Sequence, residues 1–580
     1  MNHRKRKTLA GAYYTPPDVA DFIARGALLP WLLDAAAEAA PSAFRANGPA
    51  WRLLRQQPLR YLFPELPQRA ALPTETPLET QARRRRCQGL VAQLRAGAIA
   101  SVNALVTHHL DVRRFVLDLL VEPTLAEVRA AFADSVERVT ILDPTCGDGA
   151  ILWAAQQILR EIRQACGALG QPTKSNLYGV DVRDEAVAEC RRTLAQAGSE
   201  STNIVVGDAL TAECWRHAFP AVSQAGGFDV IIGNPPYLAA DRDAAPPELR
   251  TADCPDIYAW VLERAVGLLK SGGRAGMIVP LSLAFSRSFE TCRRLLFESY
   301  ASNWFSAYGR IPSALFDFDI RVRNVIHFGQ KDHGEVRNAG QAMTTRLHRW
   351  YDEARPQLFP LLHYVPFRPE CWQGRVPLLP SPALAEAMEQ RRAATTVCLA
   401  DCLAAAPTPH ALWYKKTAYN WLTFCRVLPP CYDADGLPVP QSQFDVLYFA
   451  TAWQRDLAFL LLNGKLAFAY WTVVGDDFHV ARWMFGGFPI DLPAIPPAVR
   501  RALLPLVPRL ERAMRRATAF KRNAGKRVGT YNLARCRAVT DQSDLVFSAW
   551  LGWQDLWPEV ELVTARQVKT EFEALAEPGN

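Results

Sequence analysis

The sequence lacks any apolar run long enough to cross a membrane as a single helix. Its most apolar early stretch, Ala27 to Ala40, is interrupted by Pro30, Asp34 and Glu38. The chain starts with a basic segment, Met1 to Lys7, but no signal-peptide core with a small-residue cleavage site follows it. These absences predict a protein that is not integral to a membrane and that lies in the cytoplasm.

Cysteine pairs with the spacing of metal ligands are also missing. No CxxC pair occurs among the 13 cysteines. The spacings of Cys398 with Cys402 and of Cys425 with Cys431 are loose, and no partnered histidine accompanies them. In a cytoplasmic protein such cysteines are expected to be reduced thiols in packed positions. We therefore predict neither a disulfide framework nor a bound metal.

The composition is that of a large globular protein. The chain has 580 residues, of which 49% are hydrophobic and 21% charged. This much apolar surface excludes wholesale disorder. Because a domain usually holds roughly 100–200 residues, the length predicts about three or four structural units.

The positive charge is concentrated in one C-terminal segment. The whole chain carries a formal net charge of +8, but residues 500–540 contain twelve basic residues and one acid, Glu511, for a local net of +11. The other 539 residues therefore sum to −3. Such a basic segment on a near-neutral protein is typical of a polyanion partner, although a solvated helix face is the simpler alternative.

The first quarter of the chain is predicted to be helical. Apolar residues recur at spacings of three and four over residues 18–135, and a proline-rich stretch from Pro58 to Pro77 divides this region. The run Arg83 to Arg86 follows that stretch and is expected on an exposed helix face, either solvated or in contact with phosphates.

From Arg138 onward, short apolar runs alternate with helical patterns over 150–163, 184–197 and 257–269. This rhythm predicts an open parallel α/β sheet. The predicted strands are Val139–Asp143, Asn176–Asp181, Asn203–Asp208, Phe228–Gly233 and Ala275–Pro280.

Polar residues stand at the carboxyl ends of four of these strands. They are Asp143, Asp181, Asp208 and Asn234. In open α/β sheets the ligand binds beyond the carboxyl ends of the strands. Four polar side chains at that edge indicate a site.

The segment Asp143 to Gly149 (Asp-Pro-Thr-Cys-Gly-Asp-Gly) is a turn between a strand and a helix, in which Gly147 and Gly149 permit close backbone approach to a ligand. A glycine-rich turn alone is weak support. The carboxylate of Asp181, however, could accept hydrogen bonds from both hydroxyls of a ribose, and that of Asp208 could accept one from the amino group of an adenine. The turn carries no Arg or Lys for a pyrophosphate, so the pattern favours S-adenosylmethionine over a dinucleotide.

The motif Asn234-Pro235-Pro236-Tyr237 is the most specific signal in the chain. Two prolines fix the backbone after a strand and set the direction of its carbonyls. The Asn234 side-chain oxygen and the Pro235 carbonyl could accept both hydrogens of an aromatic amino group, whose lone pair then attacks an electrophilic methyl group without a metal or a strong base. Tyr237 could stack on the ring. A ring presented in this way has to leave its duplex, which implies base flipping.

With these motifs the chain resembles the N6-adenine DNA methyltransferases of the gamma arrangement, including the methylase parts of Eco57I-like restriction-modification proteins. The resemblance extends from Gly11 to about Gly329 and, more loosely, into the C-terminal half. It implies a Rossmann-like AdoMet-dependent methyltransferase sheet over residues 138–335. Asn before Pro-Pro favours adenine over the N4 position of cytosine.

The resemblance also implies roles for individual residues. Tyr13-Tyr14-Thr15-Pro16 resembles an N-terminal motif whose threonine helps to hold the methionine end of the cofactor, and Asp256-Ile257-Tyr258 and Gly272 to Pro280 resemble later sheet motifs. A second aromatic that stacks on the target base is expected, and Phe316 is our assignment. The residues implied in cofactor binding are Tyr14, Thr15, Asp143, Pro144, Cys146, Gly147, Gly149, Asp181 and Asp208.

The remaining regions look like additions to this enzyme. Residues 1–137 form a predicted helical region that also carries the Thr15 motif, and residues 336–580 form a predicted mixed target-recognition region that holds DNA. Aromatic and basic residues are interleaved from Trp413 to Phe424, and Trp471, His479 and Trp483 surround Gly475-Asp476-Asp477. The residues predicted to contact DNA are Lys415, Lys416, Arg516, Lys521, Arg522, Lys526 and Arg527.

A nuclease of the common type is not predicted within the chain. Its core needs an acid two residues before a catalytic lysine, and none of the eleven lysines has Asp or Glu at that position. A separate restriction nuclease or other defence-system subunits are therefore possible partners, beside duplex DNA.

Three functions remain open at the level of sequence. The first is a site-specific adenine DNA methyltransferase of a restriction-modification or phage-defence system. The second is a methyltransferase that acts on RNA or protein, since Asn-Pro-Pro-Tyr also occurs in such enzymes. The third is a DNA-binding subunit of a defence complex that is inactive without its partners.

Overall fold

The structure, a computed structural model, describes residues 15–167, 176–196, 203–316, 322–331 and 341–565. Its contacts divide the chain into two compact units, Met1–Val376 and Pro377–Asn580. This division differs from the predicted boundaries after residues 137 and 335. The N-terminal helices belong to the same unit as the sheet, and strands that follow residue 335 extend that sheet.

The first unit is built around one large sheet. Over the described residues it has nine strands in the order β3-β2-β1-β4-β5-β7-β6-β8-β9. The first five strands in this order (β3, β2, β1, β4 and β5) are parallel to one another, whereas β7 runs antiparallel to both β5 and β6. The strands are β1 Ile141–Asp143, β2 Leu177–Asp181, β3 Ile204–Val206, β4 Phe228–Gly233, β5 Leu269–Pro280, β6 Tyr300–Tyr308, β7 Asn324–Lys331, β8 Gln341–His348 and β9 Val365–Phe367.

The five predicted strands are confirmed as β1 to β5, and with them the α/β class of the fold. Strand β4 is buried along its whole length, as expected for a strand covered by helices on both faces. The strand order reverses between β1 and β4, which are direct neighbours. This switch point is where an open α/β sheet forms its ligand crevice, and Asp143 and Asn234 stand on its two sides.

Helices fill the N-terminal region and the connections between strands, as predicted. The long first helix packs on the sheet, and Pro30 lies within it. The α-helices of the first unit are α1 Pro17–Ala39, α2 Pro41–Phe44, α3 Pro49–Gln56, α4 Pro77–Ala96, α5 Val102–Thr107, α6 Val112–Val121, α7 Ala126–Arg138, α8 Ala150–Ala165, α9 Asp184–Gln196, α10 Ala212–Ala218, α11 Pro220–Gln224, α12 Ile257–Leu268, α13 Ser282–Phe285 and α14 Glu290–Ser299.

A buried arginine joins the helical region to the sheet. Arg274 on β5 donates to Asp34 on α1 and to Asn103 on α5, at 2.8 Å and 2.6 Å. Its guanidinium also lies over the ring of Trp304 on β6. These contacts explain why the N-terminal helices form part of the first unit and are not a separate domain.

The prediction that Arg83 to Arg86 lie on an exposed face of α4 is correct for only two of the four residues. Arg84 and Arg85 are exposed, but Arg83 is buried and pairs with Glu75 at 2.7 Å. The side chain of Arg86 donates to the Leu361 and Leu362 carbonyls. The four arginines project to different sides of the helix because successive helical residues are about 100° apart.

The second unit is mixed, as predicted. Two three-stranded sheets, β11-β10-β13 and β12-β15-β14, are formed by its described residues. The strands are β10 Ala411–Lys415, β11 Phe424–Cys425, β12 Cys431–Tyr432, β13 Phe444–Tyr448, β14 Thr518–Asn523 and β15 Lys526–Tyr531. The helices are α15 Pro382–Ala394, α16 Ala452–Leu462, α17 Lys465–Val474, α18 Arg482–Gly486, α19 Pro497–Leu503, α20 Leu506–Arg516, α21 Arg537–Leu551 and α22 Trp557–Ala565.

No single helix of the described residues is long and apolar enough to cross a membrane. Helices α16 and α17 meet the length and composition requirements only as a pair, which is bent by 71° at its break. All thirteen cysteines are free thiols, as expected. Trp471, Tyr414 and Phe424 are buried, so these aromatics of the second unit belong to its core.

Candidate functional site

The glycine turn between β1 and α8 has the conformation that its sequence requires. Gly147 and Gly149 have positive φ angles of 53° and 84°, which glycine adopts without strain. A Cβ at Gly149 would lie 2.7 Å from Cys190 Sγ, so this glycine is also needed for packing. A Cβ at Gly147 would meet no atom within 4 Å, so the backbone borders open space at that point.

Asp143 ends β1 beneath this turn and is almost completely buried. Its Oδ1 accepts the Thr145 backbone N–H at 3.0 Å. Burial raises the pKa of Asp143 to about 8, the Thr145 hydrogen bond opposes the shift, and the nearby carboxylates of Asp181 and Asp148 add to it. A carboxyl group in this state favours a cationic neighbour, because such a neighbour would stabilise its charged form.

Asp181 ends β2 and ties that strand to the turn. Its Oδ2 accepts the Gly147 N–H at 3.1 Å, and its Oδ1 accepts from the backbone N–H and the Nε of Arg183 at 3.0 Å and 3.2 Å. The carboxylate predicted to hold a ribose therefore lies at the correct edge and also sets the position of the turn. Arg183 is a partner that the sequence analysis did not predict.

The third acid, Asp208, is exposed after β3, and its Oδ1 accepts the Leu210 N–H at 2.9 Å. Two apolar residues at this edge are unusually accessible. Val182 follows Asp181 and is 65% exposed, and Val206, which is paired with Asp181 across the strands, is 49% exposed. Exposed apolar surface beside two acids suits a ligand with an aromatic ring and polar edges. An apolar residue directly after an acid at a strand end is the signal that could have identified Val182.

Asn234 follows β4, and its amide group has a fixed orientation. Its Nδ2 donates to Thr15 Oγ1 at 3.2 Å. Its Oδ1 is buried and has no hydrogen-bond partner within the described part of the chain. Gly233 permits the approach of β4 to β1, because a Cβ there would lie 3.0 Å from Asp143 Oδ1. An unpaired buried acceptor is costly, and its place at the switch point indicates that a ligand donates to it.

Tyr237 is held by two hydrogen bonds at its hydroxyl. The hydroxyl donates to the Ile278 carbonyl and accepts from Asn324 Nδ2, both at 3.2 Å. Its ring makes edge contacts with Tyr258 and Phe316, at centroid distances of 6.4 Å and 6.5 Å. The structure thus places Phe316 beside Tyr237. The fully buried Asn324 was missed by the sequence analysis, which offered no signal for it.

The other predicted cofactor residues belong to the same turn. Pro144 and Cys146 are buried. A hydrogen bond with Cys190, together with burial, raises the pKa of Cys146 well above its usual range, so its thiol is protonated and its side chain serves packing. Pro235 is buried and Pro236 half-buried. Tyr14 lies outside the described residues, whereas Thr15 is buried next to Asn234.

The predicted DNA-binding residues of the second unit gather on and around a hairpin formed by β14 and β15. The exposed residues of its tip extend from Arg522 to Arg527. Arg516 is exposed at the end of α20, two residues before the hairpin starts. Lys415 Nζ donates to Thr530 on β15 at 3.4 Å, and Lys416 is exposed beside it. The basic segment is therefore a helix end followed by a hairpin, which differs from a simple helix face.

Histidine, cysteine and carboxylate side chains are not grouped as metal ligands anywhere in the described ranges. The site therefore consists of hydrogen-bonding groups and apolar surfaces at the carboxyl edge of the sheet.

One segment of the chain matches a known protein family. Residues 175–310 match the family described as Eco57I restriction-modification methylase, which confirms the predicted resemblance over that segment. The segment contains Asp181, Asp208 and Asn234 to Tyr237 and begins after the glycine turn.

Individual relatives cover parts of the chain. The type II methyltransferase M.BanIII of Aneurinibacillus aneurinilyticus is 25% identical over 193 residues, which are 32% of each chain, so the match spans about a third of this relative. A tRNA1(Val) (adenine(37)-N6)-methyltransferase of Shewanella halifaxensis is 25% identical over 34% of this chain and 75% of its own length. The type IIL restriction-modification enzyme MmeI, solved in complex with DNA, is 12% identical with a TM-score of 0.44, over 78% of this chain and 76% of that chain.

Proposed function

We propose that this chain, whose residues 175–310 match the family described as Eco57I restriction-modification methylase, methylates the N6 amino group of an adenine flipped out of duplex DNA. The proposal includes S-adenosylmethionine as methyl donor and a restriction-modification or phage-defence system as the setting. The main support for the proposal is the buried Oδ1 of Asn234. This oxygen has no hydrogen-bond partner among the described residues, and Thr15 orients the amide group to which it belongs.

That oxygen is placed to receive an amino group. Because Nδ2 is engaged by Thr15, the acceptor side of the Asn234 amide is available for the substrate. In the proposed reaction, Oδ1 accepts one amino hydrogen and the Pro235 carbonyl accepts the other, which moves the nitrogen lone pair out of conjugation with the ring. The amino nitrogen would then take up a methyl group from a donor held at this edge of the sheet and lose one proton to solvent.

S-Adenosylmethionine, when bound, supplies an electrophilic methyl group on a sulfonium centre. The residues present fit this cofactor. The open space beside Gly147 permits close backbone approach, Asp181 and Asp208 offer carboxylates for the ribose and the adenine, and Val182 offers an apolar surface. The buried carboxyl group of Asp143 would be stabilised in its charged form by a cationic group nearby.

The target base needs a surface to stack on. Tyr237 is held at its hydroxyl by Ile278 and Asn324, which restrains its side chain before a base arrives. We assign Tyr237 as the stacking residue and Phe316, next to it, as the second aromatic. A stacking surface of this kind would suit a base that has left the duplex.

Duplex DNA is the substrate that the second unit favours. Its exposed basic hairpin and helix end would neutralise phosphates and hold the duplex, a function that a methyltransferase for a protein substrate does not need. The relative that methylates tRNA keeps RNA as the second candidate, since the match supports adenine N6 chemistry without specifying DNA.

Transfer of tritiated methyl from S-adenosylmethionine to duplex DNA, RNA and protein, with Asn234→Ala as control, tests the proposal. We expect label in duplex DNA that the variant loses. Label in RNA or protein alone would contradict the proposed substrate. Cofactor binding without transfer to any of the three would favour a DNA-binding subunit that depends on partners.

A further inference from the structure

The small sheet β12-β15-β14 of the second unit has two different faces. The strand register places Cys431 beside Val528 in one row and Tyr432, Arg527 and Arg522 side by side in the next row. Adjacent rows point to opposite faces of a sheet. Cys431 and Val528 are buried, whereas Arg522 and Arg527 are exposed, so the arginine row lies on the solvent side.

The two arginines of that row are direct cross-strand partners. Like charges directly opposite each other destabilise a strand pair. Within the described part of the chain, neither Arg522 nor Arg527 forms an ion pair that would offset this repulsion. The free protein is therefore less stable at this position than it would be with a neutral pair, and an electronegative ligand would relieve the repulsion.

One of the two guanidinium groups is already oriented. The Arg527 guanidinium carbon lies 4.4 Å from the centroid of the Phe520 ring. Phe520 is packed in turn near Tyr432, with 6.0 Å between the ring centroids. Stacking restrains the guanidinium plane and leaves its N–H edge available for a planar acceptor. A restrained side chain loses less conformational entropy on binding.

The end of the hairpin is a ribbon of two strands. Strand β12 covers only Cys431–Tyr432, so β14 and β15 continue past it. They are joined by a tight turn at Ala524 and Gly525, which have φ angles of 47° and 77°. All residues from Arg522 to Arg527 are exposed. The major groove of B-form DNA is about 12 Å wide and admits a two-stranded β-ribbon.

We propose that the β14–β15 hairpin enters the major groove of duplex DNA and that Arg522 and Arg527 read guanine there. An arginine can donate two hydrogen bonds to O6 and N7 of guanine, an arrangement that lysine cannot reproduce with the same geometry. The inference rests on the proposed function in one respect, namely that duplex DNA is the substrate. Duplex RNA is disfavoured, because its major groove is too deep and narrow for such a ribbon.

Selection of bound sequences from a randomised duplex library by the full-length chain tests this inference. We expect the wild-type chain to prefer guanine at specific positions. Arg527→Lys and Arg522→Lys should each lower discrimination at one base pair by about 10-fold and leave the other positions unchanged. Phe520→Leu, which frees Arg527 without removing it, should weaken the preference at the Arg527 position only.

Arg512→Lys is the matched control, because Arg512 is an exposed arginine of the same basic segment that lies on helix α20. It should leave every base preference unchanged. The thermal unfolding temperature of each variant is compared with that of the wild type to verify that the fold is intact. We expect equal temperatures for the lysine variants because they keep the positive charge.

Three results would overturn the inference: an equal loss of affinity for all sequences, unaltered preferences in both lysine variants, or tighter binding to a duplex RNA library. Methyl transfer is measured on the same preparations to separate the two proposals. Preferences that depend on Arg522 and Arg527 without any methyl transfer would refute the proposed function alone. Transfer with preferences that ignore both arginines would refute the hairpin inference alone.

Discussion

The side chain of Asn234 donates from Nδ2 to Thr15 Oγ1 at 3.2 Å, across 219 residues of chain. This hydrogen bond decides which side of the amide is available to a substrate. With Nδ2 engaged, the buried Oδ1 remains available as an acceptor for one hydrogen of an amino group. We therefore expect Thr15 to position Asn234 for the proposed transfer step, in addition to the cofactor contact that its motif implies.

Thr15→Val tests this role, since valine has nearly the same shape and no hydrogen-bond acceptor. We expect kcat to fall by about 10-fold because the Asn234 amide is free to rotate. Thr15→Ser keeps the hydroxyl and should retain most of the activity. Steady-state kinetics with varied S-adenosylmethionine separate the two roles. If Thr15 only bound the cofactor, its substitution would raise the KM for S-adenosylmethionine and leave kcat unchanged.

Asn324 is expected to act through Tyr237. Asn324→Leu removes the donor to the Tyr237 hydroxyl, and we expect methyl transfer to slow by about 5-fold because the ring is less restrained. In a Tyr237→Phe background the same substitution should have little further effect, since the shared hydrogen bond is already absent. Additive losses in this double-mutant cycle would show that Asn324 acts independently of Tyr237.

The raised pKa of Asp143 predicts an unusual dependence of the protein's stability on pH. Its pKa is raised by burial from 3.8 to about 8, so the folded protein holds this proton where the unfolded chain has lost it. The stability contributed by this group is complete below its ordinary pKa and is lost as the pH rises through about 8. Asn cannot ionise, so Asp143→Asn should gain stability relative to the wild type between about pH 5 and about pH 9.

Thermal unfolding of the ligand-free protein at both pH values measures this difference. Asp229→Asn is a comparison variant, since Asp229 is also buried in the sheet but is paired with Lys270 at 2.9 Å. A difference between Asp143→Asn and the wild type that stays constant with pH would show that Asp143 is not the titrating group.

The lysines of the hairpin should contribute to affinity and salt dependence without contributing to base preference. Lys521→Gln combined with Lys526→Gln removes two positive charges, and the slope of log K against log salt should become shallower by about 2. Arg138→Gln, which removes an exposed arginine outside the basic segment, is the control. An unchanged slope in the folded double variant would mean that these lysines do not contact phosphates.

The sheet and the strand-end residues could be predicted because their signals are local. The apolar run before Asp143 and the two prolines after Asn234 each determine structure within a few residues. The contact of Thr15 with Asn234 could not be derived from residue spacing, since it depends on how α1 packs against β4. The extension of the sheet past residue 335 was missed, because nothing in the sequence of β8 distinguishes it from a strand of the next domain.

Other errors have the same origin. Arg83 was expected in solvent, but the loop from Glu65 to Glu75 folds back over it and supplies its acceptors. Val182 was overlooked, because an apolar residue is normally assigned to the core until the structure shows that it is exposed. In both cases tertiary contacts decide the environment of a residue whose local pattern allows either outcome.

The proposed function requires Asn234 Oδ1 to accept a hydrogen bond from the amino group of an adenine in DNA. Its most direct test is nucleoside mass spectrometry of duplex DNA after incubation with S-adenosylmethionine and either the wild-type chain or Asn234→Ala. We predict N6-methyladenine with the wild type and a loss of at least about 100-fold in the variant. Methylation of cytosine instead of adenine, or N6-methyladenine formed equally well by Asn234→Ala, would contradict the proposed role of Asn234.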